Sequence, residues 1–275
     1  MKHDTYDKYP ADSLDLPERA LLTVWDCLAA YRDDLVLVGG LAIKHLTRAP
    51  KVGQTGPVTQ DVDFGISLAA ESGMYGSLRE TLAAHGFRRV KSRFLRTFPG
   101  FDLHVDLVTD DDKADTGTAL LDDGLAVGIV PGINRALEHA RLVEVCGKSL
   151  TGADLQAQVK VAEVGPMMVL KLNAFGGPMG RKAGKDVHDL LYLTMNCDGE
   201  ADHAIAAFHA EKAAGNRGVP HALHAAKTWF SHLNAPGPMA CAAFRLNNRH
   251  ELPALATESL RIRQQCVTLA EALLA

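Results

Sequence analysis

The chain of 275 residues has little cysteine, no surplus of positive charge and no long apolar run. Its five cysteines, Cys27, Cys146, Cys197, Cys241 and Cys266, are odd in number and scattered. None belongs to a C-x-x-C pair, which excludes a disulfide framework and a paired-cysteine zinc site. The formal net charge of -4 excludes a wholly basic protein that coats phosphate, though not a local basic patch. No uncharged apolar stretch reaches the roughly 18 residues of a membrane-spanning helix. The segment MKHDTYDKYPADSLD is polar and lacks the apolar core of a secretory leader. These absences together predict a protein of the reducing cytoplasm, with no membrane partner. What remains is an ordinary globular balance, 47% hydrophobic and 23% charged, with enough chain to bury a large core.

The pattern along the chain changes character once. The first fifteen residues read as a loose polar arm. Asp15 and Pro17 then open a helix whose apolar positions run to about Tyr31. Leu35-Val36-Leu37-Val38 is a short continuous apolar run, the mark of a buried strand, and Gly39-Gly40 ends it before a helix from Leu41 to Leu46. After a loop rich in Gly and Pro, a strand is predicted over Asp61 to Ile66. A helix follows from about Glu71 to His85, closed by Gly86. Phe87 to Phe98 has mixed strand character. Phe101 to Val108 alternates, with Leu103, Val105 and Leu107 on one face and Asp102, His104 and Asp106 on the other. Shorter strands are predicted near Leu142 to Cys146 and Val159 to Val161. Beyond Gly165-Pro166 the reading is helical throughout: Met167 to Phe175, Lys185 to Met195, Ala201 to Ala214, His221 to Leu233 and Leu255 to Leu274. The expected fold class is therefore α+β, a mixed sheet flanked by helices (residues 1–164) followed by an all-helical domain (residues 165–275).

The candidate chemistry lies in the first part. A strand repeats every two residues, so Asp61 and Asp63 project from one face while Val62 and Phe64 face a core. Two adjacent carboxylates repel each other, and a divalent cation relieves that cost. Mg²⁺ prefers oxygen ligands, typically one or two carboxylates plus substrate phosphates. With Asp106 on a neighbouring strand, the set could hold two Mg²⁺ ions, or Mn²⁺, roughly 3.5–4 Å apart as in two-metal phosphoryl transfer. Gly39 and Gly40, at a strand-to-helix turn, allow close backbone approach to a phosphate and aim helix N–H groups at it. Each feature alone is ordinary: a D-x-D pair is often a solvated edge, and Asp106 could be the wet face of a half-exposed strand. Their combination in chain order is specific. A separate basic run, from Arg88 to Arg96, places five basic residues in nine, interleaved with Phe94. It is either a nucleic-acid track or a solvated strand face, and in a single strand Arg89, Lys91 and Arg93 would share one side.

In LVGGLAIKHL, TQDVDFGI, LHVDLV and MMVLKLNAFGGPMGRKAGKDVHDLLYL the chain resembles the nucleotidyltransferases of the DNA polymerase β-like superfamily, and within them the AbiEii-type toxins. The likeness runs from about Leu35 to Leu193. It implies metal-binding carboxylates at Asp61, Asp63 and Asp106, small motif residues at Gly39 and Gly40, and the motif hydroxyl at Thr59. It also implies a nucleotide-binding group of Lys171, Arg181, Lys185 and Asp186, with Asp189 completing its last segment. One departure is Gly40, where many relatives carry Ser. By its own surroundings, Lys171 either extends its apolar stem to the surface or faces the cleft with Asp186 and Asp189 as orienting partners. The implied activity is transfer of a nucleoside monophosphate from an NTP to an acceptor hydroxyl with release of pyrophosphate. The resemblance points to a toxin-like enzyme acting on tRNA and paired with an antitoxin protein. Two alternatives stand beside it: a small-molecule transferase acting on an aminoglycoside-like cation, and a non-catalytic nucleotide- or partner-binding module.

Overall fold

A computed structural model describes residues 3–9, 12–50, 55–67, 76–91, 93–99, 101–120 and 125–275. Among these residues the order of elements is α1 (Asp15–Cys27), β1 (Leu35–Val38), α2 (Gly39–Leu46), β2 (Asp61–Ile66), α3 (Gly76–Ala84), β3 (Arg88–Val90), β4 (Arg93–Phe98) and β5 (Phe101–Thr109). Then come β6 (Thr118–Leu120), β7 (Ala126–Ile129), α4 (Ile133–Glu138), β8 (Ala140–Lys148) and β9 (Asp154–Ala162). Six helices follow: α5 (Val164–Gly176), α6 (Gly184–Asn196), α7 (Glu200–Ala213), α8 (Val219–Trp229), α9 (Pro236–Arg245) and α10 (Ala256–Leu274). The expected α+β class, with a helical C-terminal region, is what the chain adopts.

The chain divides into two units. The first comprises Ala11–His45 and Val58–Glu163; the second comprises Lys2–Pro10, Leu46–Pro57 and Val164–Ala275.

In the first unit all strands join one mixed sheet, ordered β3-β4-β5-β2-β1-β9-β8, with β7 also paired to β5 and β6 to β7. β2 runs antiparallel to β1 and parallel to β5, and β4 and β5 form an antiparallel pair. The register follows from burial. Val62, Phe64, Val105 and Leu103 all bury on one face, so Asp61, Asp63, His104 and Asp106 emerge together on the other. Trp25 of α1 stacks on Phe64, at 6.1 Å between ring centres, and covers the apolar face. On the opposite face Ile133 of α4 closes against Gly65, where an added Cβ would stand 2.9 Å from its methyl group. The sequence pattern missed α4, β6 and β7, which are short and bounded by turns. The segment starting at Glu71 lies partly outside the described residues.

The second unit is built on α5, whose residues are nearly all buried. Close packing needs glycine where helices meet: Gly176 meets Trp229 and Ala225 of α8, and Gly184 meets the Ala240 carbonyl and Phe244 of α9. The N-terminal segment is not a loose arm. Tyr9 is buried, the Tyr6 ring lies 5.6 Å from that of His188, and the Tyr6 hydroxyl accepts the Gly56 N–H at 2.8 Å. The two tyrosines supply apolar area that a count of polar residues hides. Helix α9 was also unexpected, because its opening Pro-Gly-Pro reads as a turn although proline fits a first helical position.

Candidate metal centre

The parallel register of β2 and β5 sets Asp63 opposite Asp106 and Asp61 opposite His104. One oxygen from each of Asp61, Asp63 and Asp106 lies within 4.8 Å of the others. Asp61 is 3% exposed, and the other two carboxylates are half-buried. Thr59 fixes the start of β2: its hydroxyl accepts the Asp61 N–H at 3.1 Å and also lies 3.2 Å from the Asp61 carbonyl. The β1–α2 turn closes around the same carboxylates. Gly39 has φ +76°, and a Cβ built on it would collide with the Asp63 carboxylate. A Cβ on Gly40 would lie 2.8 Å from that of Thr59. Gly39, Gly40, Thr59, Asp61, Asp63 and Asp106 thus form a single cluster in the first unit.

Sequence reasoning overlooked one member. Arg93 sits on β4 directly across from Asp106. Its guanidinium donates to both Asp106 oxygens, Nε to Oδ1 at 2.5 Å and the second nitrogen to Oδ2 at 2.7 Å. The latter nitrogen also lies 3.3 Å from Asp61 Oδ2. The sequence pattern places the basic run in one strand, but the chain turns at Lys91, whose φ is +59°. The turn shifts the alternation, so Arg89 pairs with Phe94 and not with Arg93. Arg93 joins Val90 on the carboxylate face instead.

The electrostatics follow from crowding. The Asp106 carboxyl is raised to about 6: burial and then the Asp63 charge push it up, while Arg93 pulls the other way. Burial opposes the Arg93 charge, but its hydrogen bond to Asp106 and the surrounding carboxylates outweigh this and raise it. Burial, then Arg93, holds the His104 imidazole below its ordinary value, and its Nδ1 is buried without a hydrogen-bond partner.

The donor set fits a divalent cation. Three hard oxygen donors converge, glycine leaves room beside one of them, and a guanidinium already stands where positive charge is needed.

Lys171, Arg181, Lys185 and Asp186 belong to a different cluster, in the second unit. Lys171 and Lys185 both donate to Asp189 Oδ2 at 2.6 Å. Arg181 grips Asp186 through two bonds, of 2.6 and 2.5 Å. Lys171 also lies 3.7 Å from Asp186. Lys171 is 6% exposed, so it does not extend to the surface. Burial would raise the Asp189 carboxyl, but Lys171 and Lys185 hold it well below the usual carboxylate range. Arg181, with 41% of its side chain exposed, is the member of the cluster with the most access to solvent.

The chain matches no protein-family model and no curated protein sequence. Among solved structures it is similar to the antibiotic-resistance factor ANT(2'')-Ia, determined in solution and described as showing substrate-regulated conformation dynamics. The identity is 15%, the TM-score 0.33, and the match covers 70% of this chain and 94% of that one. Among the described residues no helix is long and apolar enough to cross a membrane.

Proposed function

We propose that the chain is a metal-dependent nucleotidyltransferase. The observation that carries this reading is the convergence of Asp61, Asp63 and Asp106, within 4.8 Å, beside a glycine turn. Asp61 and Asp63 would hold both ions, with Asp106 completing the set for one of them. Bound there, Mg²⁺ or Mn²⁺ would neutralise charge on the triphosphate and on the attacking oxygen. The chain supplies the remaining work. Gly39 and Gly40 bring backbone N–H groups at the start of α2 to the carboxylates, where they can hold a phosphate oxygen. Thr59 keeps the first carboxylate in place through the backbone of Asp61. Asp106, which completes the set for one ion only, would take the proton of an acceptor hydroxyl. The hydroxyl oxygen then forms its bond to the α-phosphorus as the bond to pyrophosphate breaks. Such catalysis is chiefly positioning and charge neutralisation.

For the acceptor, the support is the basic edge of the same sheet face. Rows across the sheet run from Asp63 through Asp106 and Arg93 to Val90, and from Asp61 through His104 and Leu95 to Arg88. Arg88 and Lys91 are exposed there. A polyanionic acceptor such as tRNA fits this edge better than a cationic small molecule does. The toxin and antitoxin roles rest on the family resemblance, as does the nucleotide role of Lys171, Arg181, Lys185 and Asp186.

The test is incubation with each of four α-labelled NTPs, Mg²⁺, and either total tRNA or an aminoglycoside panel. Label on tRNA with one NTP supports the reading. Label on the aminoglycoside moves the acceptor to the alternative. No transfer under any condition removes the transferase assignment.

A further inference from the structure

The fork of Arg93 covers both oxygens of Asp106, at 2.5 and 2.7 Å, and one of its nitrogens reaches Asp61 at 3.3 Å. The fork takes one acceptor site on each Asp106 oxygen, so a cation held between both oxygens would compete with it. We infer that Arg93 is the resident counter-cation of the triad, a positioning residue that holds the carboxylates in register and gives way to a divalent ion. The inference rests on the metal-site reading above and adds to it a residue that the family motif does not contain.

Three observations support exchange over a fixed scaffold. First, the charges require a cation: three carboxylates against one guanidinium leave a net of about two negative charges in a half-buried site. Second, the planar fork matches a carboxylate in two-point geometry, which a lysine point charge does not reproduce. Third, the Arg93 side chain is 35% exposed, against 4% for Asp61 and 21% for Asp106, so the guanidinium has more access to solvent than either carboxylate it bonds. Its strand, β4, lies next to the short β3 at the end of the sheet, so the side chain can swing without disturbing the β2–β5 ladder. Once released, the guanidinium would be available to a substrate phosphate.

The two roles predict opposite effects on metal affinity. If Arg93 only braces the triad, its loss scatters the carboxylates and weakens binding. If it occupies the ion's place, its loss removes a competitor and tightens binding. The experiment titrates Mn²⁺ into the full chain at near-neutral pH and reads free Mn²⁺ by electron paramagnetic resonance. It compares wild type, R93Q, R93K and D63N. We expect R93Q to bind Mn²⁺ about tenfold tighter than wild type, with R93K between them because it keeps the charge but loses the fork. Mn²⁺ should also raise the melting temperature of R93Q by more than that of wild type. D63N should bind neither tightly nor in a one-site manner. Equal or weaker binding by both Arg93 variants, with wild type still binding, overturns the exchange role alone. Absence of binding by wild type and by both Arg93 variants overturns the metal-site reading and this inference with it. Should R93Q not fold, R93K decides the matter by the same comparison.

Discussion

Gly39 and Asp63 exclude each other's bulk: the space a Cβ of Gly39 would fill holds the Asp63 carboxylate. The left-handed backbone of Gly39, φ +76°, adds a second reason for glycine. Gly39→Ala should therefore cost about 1–3 kcal/mol of stability from strain. It should also displace Asp63 and weaken Mn²⁺ binding by about tenfold or more. Gly40→Ala presses on Thr59 instead, with 2.8 Å between the two Cβ atoms. It should cost a similar amount of stability, about 1–3 kcal/mol, while changing Mn²⁺ affinity far less. The same contact leaves no space for a side chain at Gly40 without a shift of Thr59. Calorimetric melting and Mn²⁺ titration of the two variants separate the effects, and equal Mn²⁺ affinity in Gly39→Ala and wild type would sink the account.

The carboxylates Asp61, Asp63 and Asp106 were legible because alternation along β2 and β5 needs only a period of two and buried apolar partners. Their convergence was not. The order β5-β2-β1 and the parallel register that sets Asp63 against Asp106 arise from connections between strands, which no local pattern encodes. Arg93 escaped for a related reason: a turn at Lys91 inverts the phase of the basic run, and one residue of slip moves a side chain to the other face. Lys171 and its partners were legible as a group, since Lys185 and Asp189 lie four apart on α6. That one oxygen of Asp189 serves two lysines depends on how α5 packs against α6, which is a tertiary fact.

Asp63→Asn tests the cost of gathering the carboxylates. The charge of Asp63 helps to hold the Asp106 carboxyl near 6, so its removal relieves repulsion in the metal-free protein. The metal-free variant should be as stable as wild type or gain up to about 1 kcal/mol. Nucleotidyl transfer should fall by about a thousandfold or more. Stabilisation by Mg²⁺, expected at about 2.7 kcal/mol for wild type at a hundred times the dissociation constant, should vanish. Thermal melting with and without Mg²⁺ checks both halves. Loss of fold in metal-free Asp63→Asn would show that the carboxylates brace the sheet and do not strain it.

His188 gives the second unit an acid limit. Burial, with Arg245 assisting, pushes its imidazole down to about 3, and its Nε2 meets the Gly56 carbonyl at 2.9 Å. In the unfolded chain the same group titrates near 6.5. Between those values the unfolded state binds the extra proton, so stability is full above pH 6.5 and is lost as pH falls toward 3. The slope approaches about 1.4 kcal/mol per pH unit for one proton. Asp189 contributes in the same direction only below its ordinary value of 3.8, so between pH 6.5 and 4 the histidine acts without it. Denaturant unfolding across that range should show the slope in wild type and a flatter one in His188→Gln. An unchanged slope in the variant would assign the acid sensitivity to other groups.

The shared oxygen of Asp189 makes the charges of the second unit unequal in importance. Lys171 and Lys185 each donate to Oδ2 at 2.6 Å, while Asp186 is held by Arg181 and approached by Lys171. Removing Lys185 leaves Asp189 with a full hydrogen bond from Lys171. Removing the charge of Asp189 takes from Lys185, 3% exposed, its 2.6 Å ion pair and strips Lys171 of its nearer carboxylate. Removing one partner of a buried ion pair costs about 3–5 kcal/mol when the remaining charge is left uncompensated, and Asp189 keeps Lys171 when Lys185 is removed. Asp189→Asn should thus destabilise by about 3 kcal/mol or more, and Lys185→Met by about 1 kcal/mol or less. In the double variant Asp189→Asn, Lys185→Met, the loss should be smaller than in Asp189→Asn alone, because one of the two ammonium groups that shared the carboxylate oxygen has been removed. Denaturant unfolding of the three variants gives that ordering directly, and a double variant worse than the sum of its parts would refute the shared-oxygen argument.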